Sequence, residues 1–275
     1  MQDQEPRSNL PSIDRLSTLS ATILLAYALA HFINLPTWEP GVQLPGFYLS
    51  AKLNIQTLTT FLVAGLTAAG ADWLLREHPA LVGRRHRTFE HWLVPTLTAL
   101  VIGIPLAQLP LGPIWWIGFA LGGALIVLVL IAEYIVVDQE DVRQPPAAAV
   151  LTAVSFALYL ILAAGLRFAG SRLYLLVPAL ALAAGLVSLR ALRLRLRGPW
   201  YFMEAGLVAL ITTQIAAALH YWPISPVAFG LALLGPAYAL THLMGNLAEG
   251  EPIRQAVTEP VVVLILIWVA ALLIG

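Results

Sequence analysis

"PLGPIWWIGFALGGALIVLVLIAEYIVVDQEDVRQP", residues 110–145, holds a proline turn, a long apolar run and a charged phrase in one line. The run from 113 to 137 is interrupted by a single ionisable side chain, Glu133. At about 1.5 Å per helical residue it is long enough to cross about 30 Å of hydrocarbon. Trp115 and Trp116 at its start and Tyr134 near its end are the amphipathic rings expected at headgroup depth. Gly118 and Gly122 give it a small-residue face for helix packing.

The rest of the chain repeats this pattern. Hydrophobic residues make up 59% of the 275 residues and charged residues 11%, and the mean hydropathy is +0.82, so the lipid bilayer is the expected solvent. Apolar runs fall at 17–35, 53–75, 92–109, 113–137, 147–168, 172–190, 200–221, 225–246 and 258–275. The fold class is therefore all-α, a polytopic transmembrane helical bundle of about nine spans forming one integral membrane domain over 1–275. Acidic residues beside Arg7 and Arg15 in the leader, and an apolar run that continues through Phe32, Ile33 and Leu35, favour a first span over a cleaved signal.

Basic residues set the orientation. Twelve of the fifteen (Arg7, Arg15, Arg76, Arg84, Arg85, Arg87, Arg143, Arg190, Arg193, Arg195, Arg197 and Arg254) fall on one face of a nine-span arrangement, leaving Lys52, Arg167 and Arg172 on the other. The positive-inside rule then predicts an inner-membrane protein with a cytoplasmic tail at 1–16 and the C-terminus outside. The formal net charge of zero leaves no field that would recruit nucleic acid, and the absence of cysteine excludes disulfides, thiolate metal sites and cysteine nucleophiles.

The charged phrase occurs twice. "EDVRQP" at 140–145 and "EPIRQA" at 251–256 align at an offset of 111. The proline turns "PLGP" (110–113) and "PISP" (223–226) align at 113, so a two-residue gap reconciles the two offsets. With the basic connections 76–91 and 189–199 also matched, spans two to five (53–165) and six to nine (166–275) are expected to be parallel copies in a 1+4+4 arrangement. Residues 17–52 contribute the first span and an outer connection rich in proline and glycine, expected to lie along the interface.

Deep polar residues are few. Glu133, Gln214, His242 and Asn246 are the polar positions within spans, Glu133 and Asn246 both near the inner ends of theirs, and His242 and Asn246, four apart, share a helical face. At the offset of 113, Glu133 corresponds to Asn246, so Glu133, His242 and Asn246 are the expected polar cluster, with Glu133 binding a proton or cation and His242 accepting or relaying it. "HLMGN" matches an H-x-x-x-N element used by intramembrane CAAX-type proteases, but the paired glutamates and F-x-x-x-H element of that family are missing, and no resemblance is drawn. No motif specifies a catalytic residue, a metal ligand or a cofactor. The expected function is a small-solute transporter or permease, supported by the repeat and by Pro95, Pro105, Pro178 and Pro236 within spans. The alternatives are a non-catalytic membrane scaffold or complex subunit, and an intramembrane enzyme. The expected partners are the lipid bilayer, a small solute or ion, and a membrane protein.

Overall fold

The computed structural model describes residues 10–33, 41–44, 47–50, 55–76, 78–81, 88–196 and 198–275. Arg7, Pro36, Pro40, Pro45, Lys52, Arg84, Arg85, Arg87 and Arg197, on which part of the charge and loop reading rests, lie outside them. Nine α-helices occur among the described residues: α1 (Ile13–Phe32), α2 (Ile55–Leu75), α3 (Leu93–Gln108), α4 (Pro113–Val136), α5 (Gln144–Phe168), α6 (Leu173–Leu196), α7 (Phe202–Leu219), α8 (Pro226–Ala248) and α9 (Ile253–Ile274). Seven of them are long and apolar enough to cross a membrane. The other two are α3, which has 16 residues, and α1, whose first half carries Asp14, Arg15, Ser17, Thr18, Ser20 and Thr22.

Local chemistry fixes the helix ends. Proline occupies the first turn of α4, α5 and α8, where its missing N–H would have had no helical partner. The Ser225 hydroxyl accepts the Ala228 N–H at 3.2 Å and caps α8. Gly170 (φ 62°) and Gly250 (φ 84°) end α5 and α8 in the left-handed region. In both, the next residue's N–H returns to a carbonyl five positions back, Ser171 to Leu166 and Glu251 to Asn246, each at 3.1 Å.

Two differences from the expected elements have clear causes. The connection between α1 and α2 contains a β-hairpin, β1 (Gly41–Leu44) and β2 (Phe47–Ser50), paired antiparallel with Gly41 opposite Ser50 and Leu44 opposite Phe47. The basic segment expected as a loop at 189–199 is helical as far as Leu196. Leu192 and Leu194 are buried in that stretch, Arg193 lies over the Trp200 ring and Arg195 pairs with Glu249, so these two charges do not interrupt the helix.

The described chain divides into two compact units, residues 1–141 and 142–275. In the first, α1 packs against α2 and α4, α3 packs between α2 and α4, and α2 also touches α4. Its core gathers Ile23 and Tyr27 from α1, Val63 and Leu74 from α2, Ala99 and Ile102 from α3, and Trp115, Ile126 and Leu130 from α4. Trp115 is buried rather than interfacial, and its indole N–H donates to the Leu106 carbonyl in the last turn of α3 at 3.2 Å. The Tyr27 hydroxyl donates to the Ala99 carbonyl.

In the second unit, α5 packs against α6 and α8, α7 packs between α6 and α8, α6 also touches α8, and α9 lies against α8. Leu151, Leu158 and Tyr159 of α5, Leu176 and Leu180 of α6, Val208 of α7, and Phe229 and Leu233 of α8 form its interior. Arg167, at the end of α5, donates to the His220 carbonyl and, at 2.6 Å, to the Trp222 carbonyl. It thereby satisfies the end of α7. Some buried hydroxyls return to their own helices, Thr98 to Val94 and Ser155 to Leu151, both at 2.7 Å. Large apolar side chains such as Phe61, Leu121, Leu182 and Ile265 are exposed, as lipid-facing residues are.

The contact boundary at 141/142 falls one helix before the repeat boundary expected at 165/166. The two describe different things: one is packing, the other correspondence along the chain.

Close packing of α5 on α8 depends on Gly230. A Cβ there would lie 2.8 Å from the Leu160 Cδ1 and 3.0 Å from the Leu160 carbonyl, which is backbone and cannot rotate away. Gly230→Ala is expected to lower stability by about 1–3 kcal/mol, whereas Gly206→Ala, which meets nothing within 4 Å, should be neutral or stabilising. Thermal unfolding in detergent distinguishes the two; equal effects would remove the packing argument.

Candidate functional site

The C-terminal half of α8 and its cap place Tyr238, Thr241, His242, Gly245, Asn246 and Glu249 at intervals of three and four, hence along one side of the helix. Facing them are Thr152 and Phe156 of α5 and Ser188, Leu192 and Arg195 of α6. Together α5, α6 and α8 border an open cleft of about 430 Å³ with alanine-rich walls, and Thr152, Arg195, Tyr238, Thr241 and His242 line it. A small number of polar groups in a mostly apolar cavity is the general pattern of a small-molecule site.

Arg195 organises one end of this cleft. Its guanidinium donates from Nε to Glu249 Oε1 at 2.9 Å, from Nη2 to Glu249 Oε2 at 2.6 Å and from Nη2 to Asn246 Oδ1 at 2.7 Å. This two-point clamp needs the planar fork of arginine. Gly245 makes room for it, because a Cβ there would stand 2.9 Å from Nη1 and 3.3 Å from Cδ and Cζ. Asn246 also donates from Nδ2 to the Ala256 carbonyl at 2.9 Å, so one buried amide connects α6, α8 and the first turn of α9. The His242 ring stacks on Tyr238 at 4.0 Å, and Tyr238 meets Phe156 edge-on at 5.3 Å. Thr241 donates to the Ala237 carbonyl at 2.7 Å and shares a second hydrogen bond with the Ser188 hydroxyl at 2.8 Å. The charges that act on His242 are Arg195 from α6 and Glu259 from α9.

His242 and Asn246 thus belong to one cleft, joined through Arg195. Glu133 belongs to the first unit and has a partner there. Its Oε2 lies 2.8 Å from His91 Nδ1, with Glu133 1% and His91 8% exposed. His91 follows Glu90 in a short 3-10 turn, Thr88–His91, ahead of α3. His78, just beyond α2, is buried and packs against the Tyr134 ring at a tilt, with centroids 4.5 Å apart. Its Nδ1 accepts the Ala80 N–H at 3.1 Å. Among the described residues no group of three or more histidine, aspartate or glutamate side chains is arranged to hold a metal. A further cavity of about 510 Å³ in the first unit is lined by Asp72, Trp73, Arg76 and Trp92, with Arg76 paired to Asp72 at 2.6 Å.

Arg195, Glu249, Tyr238 and His91 are absent from the expected cluster. The arginine reads in sequence as an orientation signal, and its partners lie 51 and 54 positions away.

Burial separates the contributions within the cleft. Asn246 is 4% exposed, so Asn246→Ala leaves the Ala256 carbonyl without its donor and is expected to cost about 1–3 kcal/mol. Glu249 is 38% exposed and Arg195 32%, so Glu249→Ala should stay within about 1 kcal/mol. Denaturation of the two variants tests this, and the reverse order would count against Asn246 as the tie. In the first unit, burial holds His78 below the ordinary histidine value of 6.5; Asp138 pulls it back up, His91 pushes it further down, and Asp141 pulls it up. Between the lowered native value and 6.5 the unfolded chain binds more protons than the native one, so stability should fall as pH drops through that window. His78→Phe, which keeps a ring against Tyr134, should flatten the fall when melting is compared at neutral and acid pH.

No curated protein and no solved structure matches the chain. One family model matches residues 35–274, a range that takes in the hairpin and every helix from α2 to α9. The chain therefore belongs to the family described as a protein of unknown function (DUF5656).

Proposed function

We propose that this membrane protein is a small-solute transporter or permease whose solute enters the cleft between α5, α6 and α8. The observation that carries this reading is the open cleft of about 430 Å³ within a single helical unit, apolar along its walls and polar around Arg195 and His242. Pro178 in α6 and Pro236 in α8 interrupt the hydrogen-bond ladders of two of the three bordering helices and supply places to bend. The protein sits in the inner membrane with its N-terminus cytoplasmic and its C-terminus outside, a reading supported by the twelve-to-three distribution of basic residues.

An internal duplication belongs to the same reading. The order of helix contacts is the same in α1–α4 and α5–α8, which favours those two sets as copies with α9 added. The repeated phrase alone favours α2–α5 and α6–α9. Both versions pair α2 with α6, α3 with α7 and α4 with α8, and both keep the copies parallel.

The scaffold or subunit reading has an observation of its own. α9 packs against α8 and leaves Val262, Ile265, Leu266, Val269, Leu272 and Leu273 exposed, a face that suits either lipid or the helix of a membrane partner.

Because the chain has no cysteine, single introduced thiols separate these readings. Val142→Cys and Tyr221→Cys, at positions 91% and 81% exposed, should react with a membrane-impermeant maleimide only from the cytoplasmic and only from the outer side, respectively. Ala149→Cys and Ala153→Cys, in the cleft wall, should react from both sides if the cleft alternates its access. Labelling from one side alone would favour the scaffold.

A further inference from the structure

We propose that the cleft between α5, α6 and α8 takes a neutral, planar ring molecule that carries a hydrogen-bond acceptor, of the class of aromatic carbonyl compounds. This rests on the transporter reading and deepens it by naming the substrate class.

The cleft offers ring surface. Tyr238 and His242 of α8 are stacked at 4.0 Å with an interplanar angle of 25°, and Phe156 of α5 meets Tyr238 edge-on at 5.3 Å. All three side chains line the cleft. A half-buried stack of two rings is extended by a third planar ring at a centroid separation of about 4.5–7 Å. Much of the remaining wall is alanine, Ala148, Ala149 and Ala153 of α5 and Ala191 of α6, whose methyl groups suit a flat apolar body and offer it no hydrogen bond. The volume of about 430 Å³ lies within the range of about 300–1,000 Å³ found for small-molecule clefts.

The unused hydrogen-bonding groups select an acceptor. Arg195 uses Nε and Nη2 on Glu249 and Asn246, and its Nη1 makes no hydrogen bond among the described residues. Neither the Tyr238 hydroxyl nor either ring nitrogen of His242 has a hydrogen-bond partner among them. A guanidinium only donates, a phenol can donate, and a neutral imidazole donates from one nitrogen. Donors from α6 and α8 therefore await an acceptor. The other two polar side chains of the wall are already committed, Thr152 to the Ala148 carbonyl and Thr241 to the Ala237 carbonyl.

Charge excludes the extremes. Arg195 is matched by Glu249 at 2.6 Å. Glu259 of α9 acts on both Tyr238 and His242 and makes no ion pair among the described residues. With one carboxylate in excess around these rings an anion is opposed, and a cation meets the unused edge of the guanidinium. A neutral molecule with partial negative charge on a carbonyl oxygen meets neither penalty.

Equilibrium dialysis of the full protein in lipid nanodiscs, with binding to empty nanodiscs subtracted, tests the class with probes of similar size. 2-Acetylnaphthalene has both ring and acceptor; 2-ethylnaphthalene lacks the acceptor, 2-decalone lacks the planar ring, and 2-naphthoate is an anion. The expected result is saturable binding of 2-acetylnaphthalene, tighter than each of the others by about threefold or more. Tyr238→Phe, which keeps the ring, and His242→Leu should each weaken it about 3- to 10-fold. Ala153→Phe places a ring in the cleft from an exposed position and should abolish binding while leaving thermal melting unchanged. No binding above the empty discs, equal binding of 2-ethylnaphthalene or 2-decalone, tighter binding of 2-naphthoate, or binding that survives Ala153→Phe would overturn the proposal. Binding is read without transport. A cleft that binds the ketone but is labelled from one side alone keeps the ligand class and removes the transporter; two-sided labelling without ketone binding does the reverse.

Discussion

A chain in hydrocarbon has no water to satisfy its N–H and C=O groups, and this constraint explains more of the structure than any single contact. It makes the long apolar runs helical, because a helix satisfies its own backbone. It sends the hydroxyls of Thr98, Ser155 and Thr241 back to carbonyls one turn earlier. At helix ends, where four carbonyls lack partners, it recruits donors from elsewhere: the Trp115 indole at the end of α3, the Arg167 guanidinium after α7, and the turns at Gly170 and Gly250. Side chains that look like interface markers in the sequence are thereby drawn into the protein.

The cleft of the second unit follows from the same constraint applied to charge. Arg195, in the last turns of α6, finds its acceptors on Asn246 and Glu249, and Glu249 at the C-terminal end of α8 sits at the unfavourable end of that helix's dipole. Each offsets the other, and Gly245 lets them meet across the helix surface. Asn246 continues the chain of partners to α9. The polar end of the cavity is therefore assembled from groups that also hold three helices together.

Helices were legible in the sequence because their signal is the apolar run itself, which needs no knowledge of partners; most ends agree within a few residues. The end of α6 was not, because closely spaced arginines resemble a solvated loop until Glu249 and Trp200 are known to receive two of them. The hairpin had a signal, Pro45-Gly46 between "GVQL" and "FYLS", that the richness of the segment in turn-formers concealed. His242 and Asn246 were found by their spacing on one helix. The pairing of His91 with Glu133 spans 42 positions, and a single sequence carries no record of such a contact.

The hairpin between α1 and α2 also constrains depth. A two-stranded ribbon has two outer edges, and along each the alternate N–H and C=O groups point away from the partner strand. Such edges are costly in hydrocarbon and cost nothing in water or among headgroups. The edges of β1 and β2, with the register Gly41 to Ser50 and Leu44 to Phe47, therefore favour water or headgroups over hydrocarbon, which ties the depth of the preceding and following helices to that of the ribbon. Moving α1 or α2 along the membrane normal would carry the cost of bringing those edges into hydrocarbon, a cost that tilting about the ribbon does not carry.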